Sequence, residues 1–527
     1  VKALKHILRL GFERLESAFD AAFGAAWNPL YQLGALGWFY YWIVVASGIY
    51  LYIFFDTGVT QAYQSVESIT HAQWYAGGIM RSLHRYASDA LVVMVLIHLL
   101  REFAMDRLRG PRSFAWITGV PLLWFLYASG ISGYWVVWDK LAQYVAIATT
   151  EWLDTLPFFG EPIARNFLDS STLSGRFFTL LVFIHIAVPL IMLFLMWVHI
   201  HRHSHPRVNP PKGLAIGTLA MMIGLSLVKP ALSQGPADLA TIPAVIHLDW
   251  FFLPLYPLLD RYSGLGLWIA LAAGTLALMV LPWLPPKRRE SIASVDLENC
   301  NGCTRCAADC PFNAITMSPR SDGRTFPQEA VVDADLCVSC GICAGACPTA
   351  TPFRRRSELV PGIDLPGLPV AEIRERTLAA AQRLSEGPRI IVFGCQAGPE
   401  LRALEGPGVG VVGLACVAQL PPAFVDFAIT RRHADGVFLT GCRDGDCHYR
   451  LGIRWTEQRM RGERDPYLRR RVPRERIAWC WAGLDRGARL RRELEAFRAR
   501  LAGAAPLSSP HAPPLGESAP KETETRG

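Results

Sequence analysis

The sequence predicts a multidomain chain: an all-α six-helix transmembrane bundle, then an α+β unit organised by eight cysteines, then a small doubly wound α/β domain with cysteines of its own. Three observations carry this. Six apolar segments fill the first 284 residues, and two of them hold histidines at a matched fourteen-residue spacing. One cysteine run is written twice between residues 300 and 348. Beyond it, short apolar strands ending at cysteines alternate with helical stretches.

Composition bounds the reading. At 527 residues, 51% hydrophobic, with a mean hydropathy of +0.22, the chain is too apolar for a soluble protein and long enough for three or more domains. The net charge of +8 lies in loops beside apolar segments and in an Arg-rich C-terminal region without interleaved aromatics, so no nucleic-acid partner is expected. All 13 cysteines follow residue 299, mostly at metal-ligand spacings, which predicts a reducing compartment for that half. Residues 1–26 lack the compact apolar core of a cleavable signal and read as an amphipathic interfacial helix on membrane lipid.

The apolar segments lie near 33–55, 77–100, 114–138, 176–200, 213–229 and 265–284, within a membrane domain drawn over 27–286. Connections 101–112 and 201–212 and the exit at 287–289 are rich in Arg and Lys, whereas 56–76 and 231–264 are poor. By the positive-inside rule both termini and all the cysteines are cytoplasmic, on a multi-pass protein of a prokaryotic cytoplasmic membrane. The second segment carries His84 and His98, the fourth His185 and His199. Fourteen residues at about 100° each return to within about 40° of whole turns and rise about 21 Å, so each helix offers two imidazoles on one face at two depths. Two such helices can hold two b-type haems by bis-imidazole ligation, one above the other. His201 is rotated off that face, and with His203 and His205 it reads as a hydrated basic cap, the alternative being a set that binds quinone head groups or donates protons on the cytoplasmic side.

Over roughly 27–260 these features resemble cytochrome b of the quinol-oxidising bc complexes. The resemblance pairs His84 with His185 on an outer haem and His98 with His199 on an inner one. It gives Gly34, Gly48, Gly119 and Gly133 the task of letting helices pass the porphyrin edges, and places Arg81 near haem propionates. Leu248-Asp249-Trp250-Phe251 and the following Tyr256 stand where the family has the Pro-Glu-Trp-Tyr motif of its outer quinol site. The implied site is therefore Asp249, Trp250, Phe251 and Tyr256, with Asp249 taking the quinol proton. In Gly133–Asp139 the proline of the family's Leu-Pro-Trp is missing. A homodimer through this domain is also expected.

Cys300, Cys303, Cys306 and Cys310-Pro311 form C-x2-C-x2-C-x3-C-P, and Cys337, Cys340, Cys343 and Cys347-Pro348 repeat it. This is the run of bacterial two-cluster ferredoxins, in which the fourth cysteine of each run ligates the other 4Fe-4S cluster. The predicted sets are Cys300, Cys303, Cys306 and Cys347, and Cys337, Cys340, Cys343 and Cys310, in an α+β ferredoxin domain over 287–356. A joint and helix follow at 357–387. Strands at 389–394, 409–415, 436–440 and 476–479 then lead to Cys395, Cys416, Cys442 and Cys480, with helices near 421–432, 449–462 and 485–501. That alternation predicts a doubly wound α/β domain over 388–502 whose ligands gather at the carboxyl ends of its strands. Through Gly441-Cys442-Arg443-Asp444-Gly445-Asp446-Cys447-His448-Tyr449 it resembles the iron–sulfur delta subunit of methyl-viologen-reducing hydrogenases. The resemblance implies a 2Fe-2S cluster on Cys395, Cys416, Cys442 and Cys447, with Cys480 a spare thiol. Residues 503–527 are expected to be disordered.

No G-x-G-x-x-G follows a strand, so any nicotinamide or flavin belongs to a partner. By resemblance that partner is an FAD-containing NAD(P)H-oxidising flavoprotein docked on the C-terminal domain. The expectation is a subunit of a respiratory-chain oxidoreductase, carrying electrons between the quinone pool and the flavoprotein. The order along the chain is outer haem, inner haem, two cubanes and a terminal cluster, and turnover is electrogenic. The alternative is an electron-transfer membrane anchor of a hydrogenase or heterodisulfide-reductase-type complex without quinone chemistry of its own.

Overall fold

The computed structural model describes residues 2–157, 163, 168, 173–201, 208–284, 291–354 and 359–503. His203, His205, the basic exit at 287–289 and the tail from 504 lie outside the described residues. Each of the six apolar segments is helical: α2 (Leu33–Phe54), α3 (Ile79–Ala104), α4 (Ser113–Val137), α6 (Gly175–His201), α7 (Lys212–Val228) and α8 (Gly264–Val280). An additional helix, α5 (Lys140–Asp154), starts at Asp139, whose carboxylate accepts the Ala142 N–H at 2.8 Å as an N-cap. Four spans, Leu33–Phe54, Gly110–Val137, Gly175–His201 and Gly264–Trp283, are long and apolar enough to cross a membrane. Helix α7 has 17 residues, and α3 interrupts its apolar run with Arg81, Arg85 and Asp89.

Packing within the bundle places α3 along α2 and α6 along α4. Each histidine-bearing helix is thus backed by a helix that carries the spaced glycines. The N-terminal helix α1 (Lys2–Phe23) is amphipathic as expected, with Leu4, Ile7, Leu15 and Phe23 exposed. Its other face is acidic and buried: Glu13 and Glu16 turn inward against α3 and the C-terminal domain.

The ferredoxin unit consists of β1 (Ser294–Val295), α9 (Arg305–Asp309), β2 (Ile315–Pro319), β3 (Gln328–Val332), α10 (Ile342–Ala346) and β4 (Ile363–Asp364). β2 and β3 form an antiparallel hairpin with Ile315 opposite Val332, and β1 pairs antiparallel with β4. The stretch expected as a joint therefore supplies β4, which pairs with β1 in a second two-stranded sheet, and Leu359, Ile363, Leu365 and Leu368 are buried. Apolar side chains at alternate positions are what turn a Pro-rich connection into a packed strand.

The C-terminal sheet is parallel, in the order β6-β5-β7-β8, built from β5 (Ile390–Cys395), β6 (Val409–Leu414), β7 (Gly436–Gly441) and β8 (Ile477–Trp481). Around it lie α11 (Val370–Gln382), α12 (Pro422–Thr430), α13 (Gly452–Arg461) and α14 (Gly487–Ala502). Ile390 and Val392 join a core with Leu490 and Phe497 of α14, whereas Ile391 and Phe393 join one with Ile373 and Phe424. Both faces of β5 are thus covered, as its unbroken apolar run requires. The winding reverses between β5 and β7, so Cys395 at the end of β5 and Cys442 just after β7 meet at the topological switch point. The core holding Ile391 and Phe393 also contains Ile342 and Ala344 of the ferredoxin unit, so the two iron–sulfur domains are one packed body.

Candidate functional site

His84 on α3 and His185 on α6 face each other with ring centroids 6.2 Å apart and ring planes at 67°. That gap suits one iron between two Nε2 atoms, at metal–imidazole distances of about 2.0–2.1 Å on each side. A Cβ on Gly133 would come within 2.9 Å of His185 Cε1, and one on Gly48 within 3.0 Å of His84 Cε1. Gly119 meets His199 at 3.3 Å and Gly34 meets His98 at 3.7 Å in the same way. Each of the four glycines faces a different histidine across its helix pair.

The other ring nitrogens are tied down by residues that the sequence reading missed. His84 Nδ1 lies 2.9 Å from the Val44 carbonyl and 3.3 Å from Ser47 Oγ, and His185 Nδ1 lies 3.1 Å from the Ser129 carbonyl and 3.2 Å from Ser132 Oγ. His199 Nδ1 is 3.1 Å from Thr118 Oγ1. An Nδ1–H donated to these oxygens fixes the ring and leaves Nε2 for a metal. A signal was present: Ser47, Thr118 and Ser132 immediately precede Gly48, Gly119 and Gly133.

His98 and His199 line a cavity of about 380 Å³ at the other level of the bundle, with Gly34, Gly119, Arg107 and Arg112. Part of its wall belongs to the iron–sulfur body: Cys447, His448 and Arg450, together with Phe312. Arg112 donates to the His448 carbonyl and lies over the Phe312 and Tyr449 rings at 5.6 and 5.8 Å. The expected order of centres is therefore corrected. The C-terminal cysteine site does not stand last in space; it adjoins the inner histidine pair, because the chain folds back over the bundle.

At the opposite end, Asp249 is buried and ion-paired to Arg85 at 2.8 Å, and Arg85 also holds Asp89 at 3.0 Å. Tyr134 donates to the same Asp249 oxygen that Arg85 holds, and the Phe251 N–H donates to the other at 2.8 Å. Trp250 and Phe251 are exposed at 69% and 45%. Tyr256 is buried, with its hydroxyl 2.6 Å from Thr149 Oγ1, so it lines the interior behind the loop. Arg81 reaches into the connecting segments, where Glu67 (3.5 Å), Thr70 and Ser233 (2.8 Å) take up its guanidinium.

The electrostatic neighbours of Cys306 are Cys303, Cys347 and Cys300, and those of Cys343 are Cys340, Cys337, Cys306 and Cys310. Burial pushes the Cys306 and Cys340 thiols up to about 12, so thiolates here need a compensating cation such as cluster iron. In the C-terminal domain the thiols of Cys395 and Cys447 each lie beside those of Cys416 and Cys442. The Val417 N–H donates to Cys395 Sγ at 3.0 Å. Cys480 lies in the core under α14, apart from the other four. Among the described residues no three His, Cys, Asp or Glu side chains are arranged to chelate a single ion. The duplicated spacing itself specifies polynuclear clusters.

An ionic network joins this body to the bundle. Arg101 pairs with Glu16 and with Asp446 at 2.8 Å each, Arg107 with Asp446 at 2.8 Å, and Arg443 with Glu16 at 3.3 Å and Asp485 at 2.6 Å. Burial pushes the Glu16 carboxyl up to about 6, with Arg101 pulling the other way. Against its own burial, Asp446 is held well below the usual carboxylate range by Arg101 and Arg107.

A membrane bundle with facing histidine pairs, joined to an eight-cysteine body and a cysteine-bearing parallel sheet, defines a membrane redox subunit. Comparison with known proteins specifies its parts. Residues 20–204 match the cytochrome b/b6/petB family, 299–351 the 4Fe-4S dicluster domain, and 400–503 the delta subunit of methyl-viologen-reducing hydrogenase. The chain thus combines a membrane cytochrome b/b6 domain, a 4Fe-4S dicluster ferredoxin domain and a hydrogenase delta-subunit-like domain. Cytochrome b of Rhodospirillum rubrum is 25% identical over 300 residues, covering 50% of this chain and 72% of that protein. Among solved structures, a chain of a hyperthermophilic respiratory Complex III aligns over 48% of this chain and 75% of its own, at 21% identity and a TM-score of 0.41.

Proposed function

We propose that the protein is the membrane subunit of an oxidoreductase exchanging electrons between a quinone and a cytoplasmic FAD-containing, NAD(P)H-linked flavoprotein. Its carriers are two b haems on His84/His185 and His98/His199, two 4Fe-4S clusters and one 2Fe-2S cluster. The observation that carries this reading is the pair of facing imidazoles at 6.2 Å, with a second histidine pair below it whose cavity opens onto the iron–sulfur body. All six apolar helices cross the membrane in this proposal, the charges of α3 being paired: Arg81 with Glu67, and Arg85 with Asp89 and Asp249. The iron–sulfur body then sits on the Arg-rich cytoplasmic side of a prokaryotic cytoplasmic membrane, and the cytochrome b-like domain forms the homodimer contact.

Quinone reacts at the other end. Two carboxylates, Asp249 and Asp89, share the Arg85 guanidinium, and Tyr134 donates to the Asp249 oxygen that Arg85 holds. Asp249 adjoins the exposed Trp250 and Phe251, so it is the group that a quinol hydroxyl can reach.

The test is anaerobic addition of a short-chain quinol while the haem bands are followed. Asp249→Asn is expected to slow haem reduction by quinol by about 10²–10⁴-fold, with the dithionite-reduced spectrum unchanged. Full-rate reduction in that variant would remove Asp249 from the reaction. The delta-subunit match favours a second reading, an electron-transfer anchor for a hydrogenase or heterodisulfide-reductase-type complex. In that case quinol leaves the haems of the wild-type protein oxidised.

A further inference from the structure

We infer that the C-terminal four-cysteine site is an internal relay between the inner haem and the ferredoxin domain, and that the soluble partner exchanges electrons at the ferredoxin cluster of Cys300, Cys303, Cys306 and Cys347. The inference rests on the reading above that a haem occupies the His98/His199 cavity. It reverses the order in which the domains follow one another in the chain.

Three observations carry it. Cys447 and His448 line the same cavity as His98 and His199, whereas the ferredoxin unit contributes Phe312 and no cysteine to that wall. The C-terminal set is thus the one in direct reach of a group filling the cavity. On its other side, the loop after Cys416 is pressed against α10, the helix that carries Cys343. A Cβ on Gly345 would collide with the Ala418 carbonyl, and one on Gly341 would come within 2.7 Å of the Gln419 side chain. Arg459 donates to the Ala418 carbonyl at 2.9 Å and pairs with Asp309, the residue before Cys310; the Trp455 indole donates to the Asp309 carbonyl at 3.1 Å. The near ferredoxin cluster is therefore that of Cys337, Cys340, Cys343 and Cys310.

The third observation is coverage. Cys395, Cys416 and Cys442 are buried and Cys447 is partly buried, and Arg443 and Gly445 of the loop between Cys442 and Cys447 are packed against this chain's own N-terminal region. Arg443 is held by Glu16 and Asp485 and donates to Ser17 Oγ at 2.7 Å, and a Cβ on Gly445 would meet the Tyr31 ring at 2.9 Å. Of this loop only Asp444 and Gly445 stay exposed, flanked by α1 on one side and by Arg101 and Arg107 of the bundle on the other. Cys300 and Cys303 are also only partly buried, and their cluster is the one farthest along this relay from the cavity. Each transfer moves one electron from a reduced centre to its oxidised neighbour, with no bond broken and no proton required. Tunnelling rates fall steeply with distance, so adjacency sets the order.

The experiment uses the full-length complex in detergent. Microwave-power saturation of the cluster EPR signals is compared with and without the inner haem, which is removed by His199→Leu. The C-terminal cluster signal is expected to relax faster in the wild type than in His199→Leu, and the signal of the Cys300 cluster to be unchanged. Haem-dependent relaxation of the Cys300 cluster, with none for the C-terminal cluster, overturns the inference. A wild-type protein without a second b-haem band fails the underlying haem reading instead. As a second arm, Cys442→Ser is expected to keep both ferredoxin signals while electron transfer from a reduced low-potential ferredoxin protein to the haems slows at least about tenfold. Haem reduction at the wild-type rate in that variant also overturns it. If Cys442→Ser fails to fold, the saturation comparison of the wild type with His199→Leu decides alone.

Discussion

At the scale of single residues, haem binding is set by what small side chains leave open. Val at position 133 would force its branched carbons into His185, whose Cε1 already lies 2.9 Å from the position of a Cβ there. Gly133→Val is therefore expected to lose the outer haem and keep the inner one, and Gly119→Val to do the reverse. Haem extraction and the split of the reduced α-band check this, each variant holding half the wild-type haem. A second residue-scale prediction concerns Arg85. Arg85→Met strands Asp249 and Asp89 without their cation, at a cost of about 3–5 kcal/mol, which a thermal melt followed at the haem bands should show. Adding Asp249→Asn and Asp89→Asn to that variant should restore much of the loss. Histidines, glycines and cysteines were legible in the sequence because their chemistry leaves few other roles at those spacings. Arg85, Asp89, Tyr134 and Ser132 were not, since their partners come from other helices and depend on how each helix is rotated. Periodicity alone does not specify that rotation.

At the scale of elements, α1 shows the same limit. Its amphipathic pattern is plain in the sequence, and its exposed Leu4 and Ile7 suit a lipid surface. The pattern did not say that the polar face is itself buried, where Glu16 meets Arg101 of α3 and Arg443 of the C-terminal domain. This arrangement makes the clamp sensitive to pH. The groups facing Glu16 are Arg101, Arg443, Tyr31, Asp20 and Asp446. The Glu16 carboxyl titrates at about 6 in the folded protein against 4.5 when free. Between those values the folded state keeps a proton that the unfolded state has lost, so stability falls as pH rises through the window. The difference amounts to roughly 2 kcal/mol. Closure of α1 on the C-terminal domain is expected to be firmer at pH 5 than at pH 7, read as slower protease release of residues 1–26. In Glu16→Gln that pH dependence should flatten, and a variant with the wild-type slope would take Glu16 out of the explanation.

At the scale of the whole molecule, domain identity was readable from motifs but domain adjacency was not. The chain runs bundle, ferredoxin unit, C-terminal sheet, yet the sheet returns to the bundle because Asp446 meets Arg101 and Arg107. No local pattern encodes a pairing between residues more than 300 positions apart. The levels of the two proposed haems follow from the histidine spacing, and in the proposed topology they give the protein an electrical property. His84 and His98 are separated by about 21 Å of helix rise, roughly 70% of a hydrocarbon core about 30 Å thick. A full crossing is worth about 2.3 kcal/mol per electron at 100 mV, so the step between haems is worth roughly 1.6 kcal/mol. With the iron–sulfur side negative, an electron is pushed away from that side, toward the His84/His185 haem. Half-reduced protein in liposomes, given a potassium diffusion potential of 100 mV in that sense, is expected to shift the ratio of outer to inner haem reduction about fourteenfold toward the outer haem. Reversing the gradient should reverse the shift, and an uncoupler should abolish it. Distinct α-bands make the ratio readable in one spectrum. A ratio indifferent to the potential would mean that the two haems lie at equal depth, which the fourteen-residue spacing on α3 and α6 forbids if those helices cross the membrane.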